Sequence, residues 1–417
     1  AVAGVCCKKR PCQSGKHTTC ARHFGREGVA TRNHTGLAAI CQKILSAALQ
    51  NRSTGGMTGC RVLVSALAVC LLLSDMAASG KFGASAMHIM EGYLPAGWCI
   101  AWGALCIPFL VAGAVSLKRK IAYQGRVKLL IALCAAFVFI ISSLKIPSVT
   151  GSCSHATGTG LGAILFGPSI MSVLGIIVLL FQAILLAHGG LTTLGANTFS
   201  MAIFGPFVSY GLFRLLKKCK APMGLAVFLS ATIGDMATYC LTSVQLAAAY
   251  PGDNFWASFG KFIAVFAPTQ VPIAIAEGIL TVIVYNVIQK NCAKELKELS
   301  GITVSNPGRG KLWARNLVLA FGVVLLVTIP LMLLGNSEFG GSDDAGSTVV
   351  EEINGGYTPW FESFWEPPSG EIESLLFCVQ SAIGAGICGF VLGRISRKPK
   401  AETVSAPTDS EPSETSD

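Results

Sequence analysis

Beyond residue 56 the chain carries three histidines, His88, His155 and His188. His88 directly follows Met87. If Met87 is a free N-terminal residue, its amine, the backbone nitrogen of His88 and the His88 ring Nδ1 close a five- and a six-membered chelate ring around one metal. Three nitrogens then lie in a plane. A fourth completes a square-planar site, the geometry of Ni(II) or Cu(II) among nitrogen-ligated metals, and low-spin Co(II) can accept it too. His155, in Ser152-Cys153-Ser154-His155, is the natural fourth ligand. The plainer readings are an exposed imidazole for His88 and a hydrogen-bonded loop residue for His155. Cys153 offers a thiolate, but soft sulfur would bind strongly and hinder release.

Metal-bound imidazoles usually need donors or acceptors behind them. Ser154, Thr269, Gln270, His188, Asn197 and Glu91 are the candidates for that role. Asp235 and Glu277 sit inside apolar runs, where an acid is a functional hypothesis by default. They could orient the site or couple it to a conformational change; the alternative is a carboxylate satisfied by a neighbouring helix. The other cysteines after residue 87 lack paired spacing and read as small buried hydrophobes.

The chelate requires a processed N-terminus. Residues 57–86 read as a signal peptide: Arg61 is the positive n-region, 62–73 the apolar h-region, and Ala84-Ser85-Ala86 the cleavage site, with Ala86 the last residue removed. An uncleaved anchor helix is the alternative. The formal net charge of +10 belongs mostly to what precedes. Residues 1–56 hold nine Lys and Arg against one acid, while 87–417 hold 21 against 20. A nucleic-acid partner is therefore not implied. Cys6, Cys7, Cys12 and Cys20 with His17 and His23 fit no zinc-finger spacing. Residues 1–56 read as a non-native or disordered leader.

The rest must place the histidines. At 52% hydrophobic, 13% charged and mean hydropathy +0.59, with apolar runs near 20 residues, the chain reads as an all-α polytopic protein of the lipid bilayer. Spans are expected at about 98–116, 129–146, 157–167, 169–187, 196–216, 223–247 and 262–288. Two more fall at about 313–335 and 374–393. The break at Gly167-Pro168 divides the third from the fourth. Of the 21 basic residues after Met87, 19 lie in four clusters: 117–128, 214–220, 290–315 and 394–400. If all four are cytoplasmic, the positive-inside rule holds and Met87 and the three histidines lie at the outer face. The expected units are a seven-helix domain 87–289, a linker 290–311 and a two-span module 312–400. That module has an outer loop 336–373, and a disordered cytoplasmic tail 401–417 follows. The outer loop has nine acids and no Lys or Arg, and its aromatics suggest a packed element.

Several classes lack support. There is no P-loop, no H-E-x-x-H and no G-x-S-x-G. A membrane metalloenzyme using the same nitrogens is disfavoured, because four in-plane protein nitrogens leave no in-plane place for water. A metal sensor or scaffold remains the third alternative.

From Met87-His88-Ile89-Met90-Glu91-Gly92-Tyr93-Leu94-Pro95 the sequence resembles CbiM, the substrate-capture (S) component of cobalt transporters of the energy-coupling-factor class. The likeness continues through Lys145–His155, LLAHGGLTTLGANTFSMA (185–202), ATYCLTSVQL (237–246) and PTQVPIAIAEGILT (268–281). EFGGSD (338–343), YTPWF (357–361) and SGEIESLLF (369–377) resemble CbiN, the small accessory subunit. The chain thus looks like a CbiM–CbiN fusion. Ala156 departs from the Pro expected after the loop histidine. The resemblance implies a transporter subunit of the bacterial cell (inner) membrane, not an enzyme. It implies Co(II) as transported substrate, with Ni(II) the alternative, and Met87, His88 and His155 as ligands. It also implies a transmembrane T component, two cytoplasmic ATPase subunits, a small subunit that assists metal loading, and cobalamin synthesis as the destination.

Overall fold

The computed structural model describes residues 88–123, 125–148, 152–293, 295–296, 309–334 and 340–396. The leader, the segment 57–86 with Ala86, Met87, most of the linker and the tail 401–417 lie outside them.

Seven helices precede the linker: α1 (Ala96–Tyr123), α2 (Gly125–Ile141), α3 (Thr159–Phe166), α4 (Pro168–Leu185), α5 (Leu194–Lys218), α6 (Met223–Ala249) and α7 (Phe255–Asn291). The expected break between the third and fourth is present. Pro168 lacks an N–H to continue α3 and instead occupies the first turn of α4, where no partner is needed. Eight residues of α3 rise only about 12 Å, too little to cross a bilayer. All eight are buried, so this short element and the irregular chain before it are tolerated at depth because protein surrounds them. Helix α5 widens into a π-helical stretch at Thr198–Phe204, directly after Asn197.

The C-terminal module adds α8 (Arg309–Leu333) and α10 (Gly370–Ser396), the two expected spans. Between them lies an additional helix, α9 (Ser342–Ile353), in the acidic outer segment. Among the described residues, seven helices are long and apolar enough to cross a membrane: α1, α4 to α8 and α10. Exposed apolar side chains such as Ile100, Ile107 and Val111 on α1, or Val318 and Met332 on α8, suit a lipid surround.

Three very short strands join the two modules. β1 (Ile146–Pro147) pairs antiparallel with β2 (Ser152–Ser154), and β2 pairs in parallel with β3 (Gly340–Gly341). The second span was expected to run to about 146. Its helix ends at Ile141, because the chain there turns into β1 of this sheet, which pairs with β2. A large core links α2, α3, α4 and α7 through residues such as Leu130, Leu161, Met171 and Tyr285, and α10 enters it with Val391 and Leu392. A second cluster joins Ile89, Leu94, Phe262 and Phe266 to Val349 and Val350 of α9.

Candidate metal centre

Three imidazoles from three separate stretches converge. His88 lies on the segment before α1, His155 just after β2, and His188 just after α4. One nitrogen from each lies within 4.8 Å of the others. Their exposures are 7%, 1% and 3%, so water cannot be their main partner. His155 Nε2 faces His188 Nε2 at 3.1 Å. Two nitrogens bound cis to one metal, each at about 2.0–2.1 Å, are about 2.9 Å apart. That pair is therefore already near cis spacing. Trans nitrogens would be about 4.1 Å apart, so the 4.8 Å spread requires only a small inward shift of the third ring.

The hydrogen bonds select the nitrogens that face the cluster. Gln182 on α4 donates through Nε2 to the Ser142 carbonyl (3.2 Å) and hydroxyl (3.1 Å). Its Oε1 therefore faces His88 Nε2 at 3.5 Å and can only accept. A proton on the His88 Nε2 would meet that oxygen and leave the lone pair on Nδ1, the nitrogen the N-terminal chelate needs. His155 Nδ1 faces the Ala156 carbonyl at 3.1 Å, which leaves Nε2 as its lone-pair nitrogen. Burial, then the nearby His88, push the His155 imidazole down to about 3. The same causes hold His188 well below the ordinary histidine value. Both rings are thus neutral at physiological pH, as metal ligation requires.

The segment carrying His88 is clasped by the turn after α4. Asn197 accepts from the Ile89 N–H (3.0 Å) and donates to the Ile89 carbonyl (3.1 Å), and Thr193 donates to the same carbonyl (2.7 Å). Glu91 accepts from the backbone N–H of Leu191 (2.6 Å) and Thr192 (2.9 Å) and from the Thr192 hydroxyl. The approach is close: a Cβ on Gly190 would sit 2.7 Å from the Glu91 Cα, and one on Gly189 3.1 Å from the His88 Cβ. Gly189 also has φ +75°, which a side chain would resist. Thus Gly189 and Gly190 let the two stretches touch.

The loop carrying His155 is held by α6 and α7. Gln270 donates to the Ser154 hydroxyl at 2.7 Å, and the Ser152 and Thr269 hydroxyls are hydrogen-bonded. Tyr239 donates to the His155 carbonyl at 2.9 Å. Asp235 accepts from the Thr157 N–H (3.2 Å), and Glu277 from the Gly158 N–H (2.9 Å) and the Thr157 hydroxyl (3.0 Å). These acids thus grip the loop two and three residues beyond His155 and are not in the nitrogen cluster. Of the sequence candidates, Ser154, Thr269, Gln270, Asn197 and Glu91 hold backbone or loop. His188 was expected behind the ligands; its ring lies within the cluster.

The C-terminal module covers this region. Ser342 donates to the Cys153 carbonyl (3.1 Å), Tyr357 to that of Gly92 (2.8 Å) and the Trp360 indole to that of Leu94 (2.8 Å). Phe377 of α10 meets the His188 ring edge-on, with centroids 5.3 Å apart. Lys145 lies 4.7 Å from the Phe377 centroid and pairs with Glu373 at 3.1 Å. Burial raises the Glu373 carboxyl, and Lys145 only partly offsets this.

Sequence reasoning missed Gln182, Thr193, Thr157 and Tyr239. Gln182 left a signal, being the one amide in the apolar run 169–187. The others are ordinary hydroxyl residues whose roles depend on what faces them.

This architecture defines a polytopic α-helical membrane protein, and comparison with known proteins places it among transporter components rather than enzymes. Residues 88–294 match the family described as the cobalt uptake substrate-specific transmembrane region, CbiM, and residues 313–405 match the cobalt transport protein component CbiN. The chain is 60% identical over 245 residues to the cobalt transport protein CbiM of Ruminiclostridium cellulolyticum, which covers 58% of this chain and 99% of that protein. It is 63% identical over 220 residues to the protein of the same name from Chlorobium limicola, covering 52% and 86%. A solved structure described as a transition metal transporter aligns with TM-score 0.43 at 29% identity, over 49% of this chain and 93% of that one. The chain belongs to the CbiM family and carries a CbiN region in tandem.

Proposed function

We propose that the chain is the capture component of an ATP-driven importer of the energy-coupling-factor class, binding Co(II) for cobalamin synthesis. The processed N-terminus supplies the Met87 amine and the backbone and Nδ1 nitrogens of His88. His155 Nε2 completes the set, and the His188 ring lies against it. Met87 lies on the outer face and the C-terminal tail in the cytoplasm. The CbiN-like module steadies the His88 and His155 stretches during loading. A T component and two ATPase subunits supply the energy. The observation that carries this reading is the convergence of three buried imidazoles, one of them directly after the proposed cleavage point.

An all-nitrogen donor set also suits Ni(II), and that observation favours nickel as the second reading. The test is intact-mass analysis of the purified chain together with its metal content. A mass beginning at Met87 with one cobalt per chain is expected. Inserting one residue between Ala86 and Met87 displaces the amine and should remove the metal. Full cobalt content in a chain shown by mass to keep the extra residue would refute the chelate.

A further inference from the structure

We propose that Gln380 of α10 is a positioning residue for the cation site, acting on His88 through Ser142 and Gln182. This rests on reading the imidazoles as the cation site. Helix α2 ends inside the protein. Ser142, Gln182 and Gln380 are all fully buried there, so water cannot cap its last carbonyls. The Ser143 N–H bonds to the Ile140 carbonyl at 3.1 Å, one residue short of its α-helical partner Phe139. The Phe139 carbonyl instead accepts from the Gln380 Nε2 at 2.8 Å. The Ser142 carbonyl accepts from the Gln182 Nε2 at 3.2 Å. A carbonyl can only accept, so the orientation of both amides is fixed. Both amide nitrogens also reach the Ser142 hydroxyl, Gln182 at 3.1 Å and Gln380 at 3.3 Å. One hydroxyl oxygen thus joins α10 to α4.

Gln182 is where this line meets the site. Its Oε1 stands 3.5 Å from His88 Nε2, and its carbonyl accepts the His188 N–H at 3.2 Å. A displacement of this one residue therefore reaches two of the three imidazoles. Its amide nitrogen is held by Ser142, and Ser142 is held in turn by Gln380. Helix α10 has other anchors on α2. The Ser381 hydroxyl donates to that of Ser143, which donates to the Ile140 carbonyl at 2.7 Å. A Cβ on Gly384 would sit 2.7 Å from the Ile140 side chain. These contacts seat the helix whether or not residue 380 is polar. Gln380 Oε1 is buried without a hydrogen-bond partner among the described residues. Burying an unpaired oxygen costs stability, and an apolar side chain would fill the same space without that cost. The amide nitrogen, and hence the end of α2, is therefore what Gln380 serves. Its effect falls on the orientation of ligands around a held ion, not on the ion's passage.

The full chain, purified in detergent and stripped of metal, is titrated with cobalt chloride against a competing chelator, and the d–d absorbance of the bound ion is recorded. Gln380→Met keeps the length of the side chain and removes the amide. It should fill to the parental stoichiometry at high cobalt, with shifted d–d bands. Its affinity should fall by about threefold, less than the tenfold or more typical of groups that touch a ligand. Gln182→Leu should cost about tenfold or more. In the Gln182→Leu background, Gln380→Met should cost nothing further, because the line is already cut. Val391→Ala loosens the same helix in the core, away from Ser142, and should keep the parental affinity and spectrum. Should Gln380→Met not fold, Ser142→Ala takes its place: it removes the shared hydroxyl, keeps the carbonyl and should shift the bands in the same direction. Parental affinity and spectrum in the folded variant would overturn the proposal, as would losses that add in the double variant. An equal band shift in Val391→Ala would also overturn it, by reducing Gln380 to packing. A parent chain without stoichiometric cobalt would overturn the underlying reading instead.

Discussion

Two buried polar groups lie within a few residues of each other along the His155 loop, and they are built differently. In the imidazole cluster, ring nitrogens face one another: His155 and His188 meet at 3.1 Å, and the remaining ring positions of His88 and His155 are turned toward acceptors. In the acid pair, one Asp235 oxygen and the Glu277 carboxyl face donors of the loop, the N–H groups of Thr157 and Gly158 and the Thr157 hydroxyl. Two facing ring nitrogens hold either a proton or a cation between them. The acid oxygens that take the loop's donors are satisfied, while the second Asp235 oxygen is buried without a hydrogen-bond partner among the described residues. The difference separates a binding cluster from a positioning device, although sequence alone makes both look like polar residues in an apolar chain.

The largest expected effect follows from removing a ligand. His155→Ala should lower cobalt affinity by about a thousandfold or more, since a four-nitrogen site loses one donor and the chelate cannot supply another. Metal content of the monodisperse purified variant reads this directly. Full occupancy in His155→Ala, with loss in Asp235→Asn, would invert the comparison.

The next effect concerns acid. His155 and His188 are pushed below the ordinary histidine value in the folded chain, and unfolded histidine titrates near 6.5. Below pH 6.5 the unfolded chain therefore binds more protons than the folded one, until the folded value is reached at about 3 for His155. Stability of the metal-free protein is fully present above that window and is lost as pH falls through it. Between pH 7 and pH 5 the loss is about 2 kcal/mol for His155. Thermal midpoints at the two pH values should differ less in His155→Gln than in the parent. An equal difference would mean the ring is not held neutral.

How much of this was legible depends on what sets each feature. His88 and His155 stood out because few histidines follow residue 56 and because the charge clusters, if all cytoplasmic, would put them on one face. The long helices were legible because bilayer-length apolar runs are local. The rest depends on distant partners. His188 is 33 residues from His155, and no spacing rule predicts two ring nitrogens 3.1 Å apart. β1, β2 and β3 are two or three residues long, too short for any periodicity, and β2 needs a partner nearly 190 residues away. Helix α9 carries only Val349, Val350 and Ile353 as an apolar face within an acidic stretch, so sequence showed a packed element but not its form.

The smallest effect probes the positioning side. Glu277→Gln preserves shape and can keep the oxygen that takes both the Gly158 N–H and the Thr157 hydroxyl, but it puts an NH₂ donor where the second oxygen stands 3.3 Å from that hydroxyl, which must turn away. The loop should shift by tenths of an ångström, and His155 with it. Substitutions behind metal ligands typically cost ten- to hundredfold in affinity, and about tenfold is expected here because Asp235 and Tyr239 still hold the loop. Pure loss of fold would lower the amount of intact protein without changing its metal stoichiometry. A positioning role predicts intact protein that still fills at high cobalt, with weakened affinity and a changed d–d spectrum. Asp235→Asn, which keeps an acceptor oxygen for the Thr157 N–H, should be milder. A Glu277→Gln protein with parental affinity and spectrum would show that the loop does not need its acids to hold His155, and the division between binding and positioning groups would fail on that side.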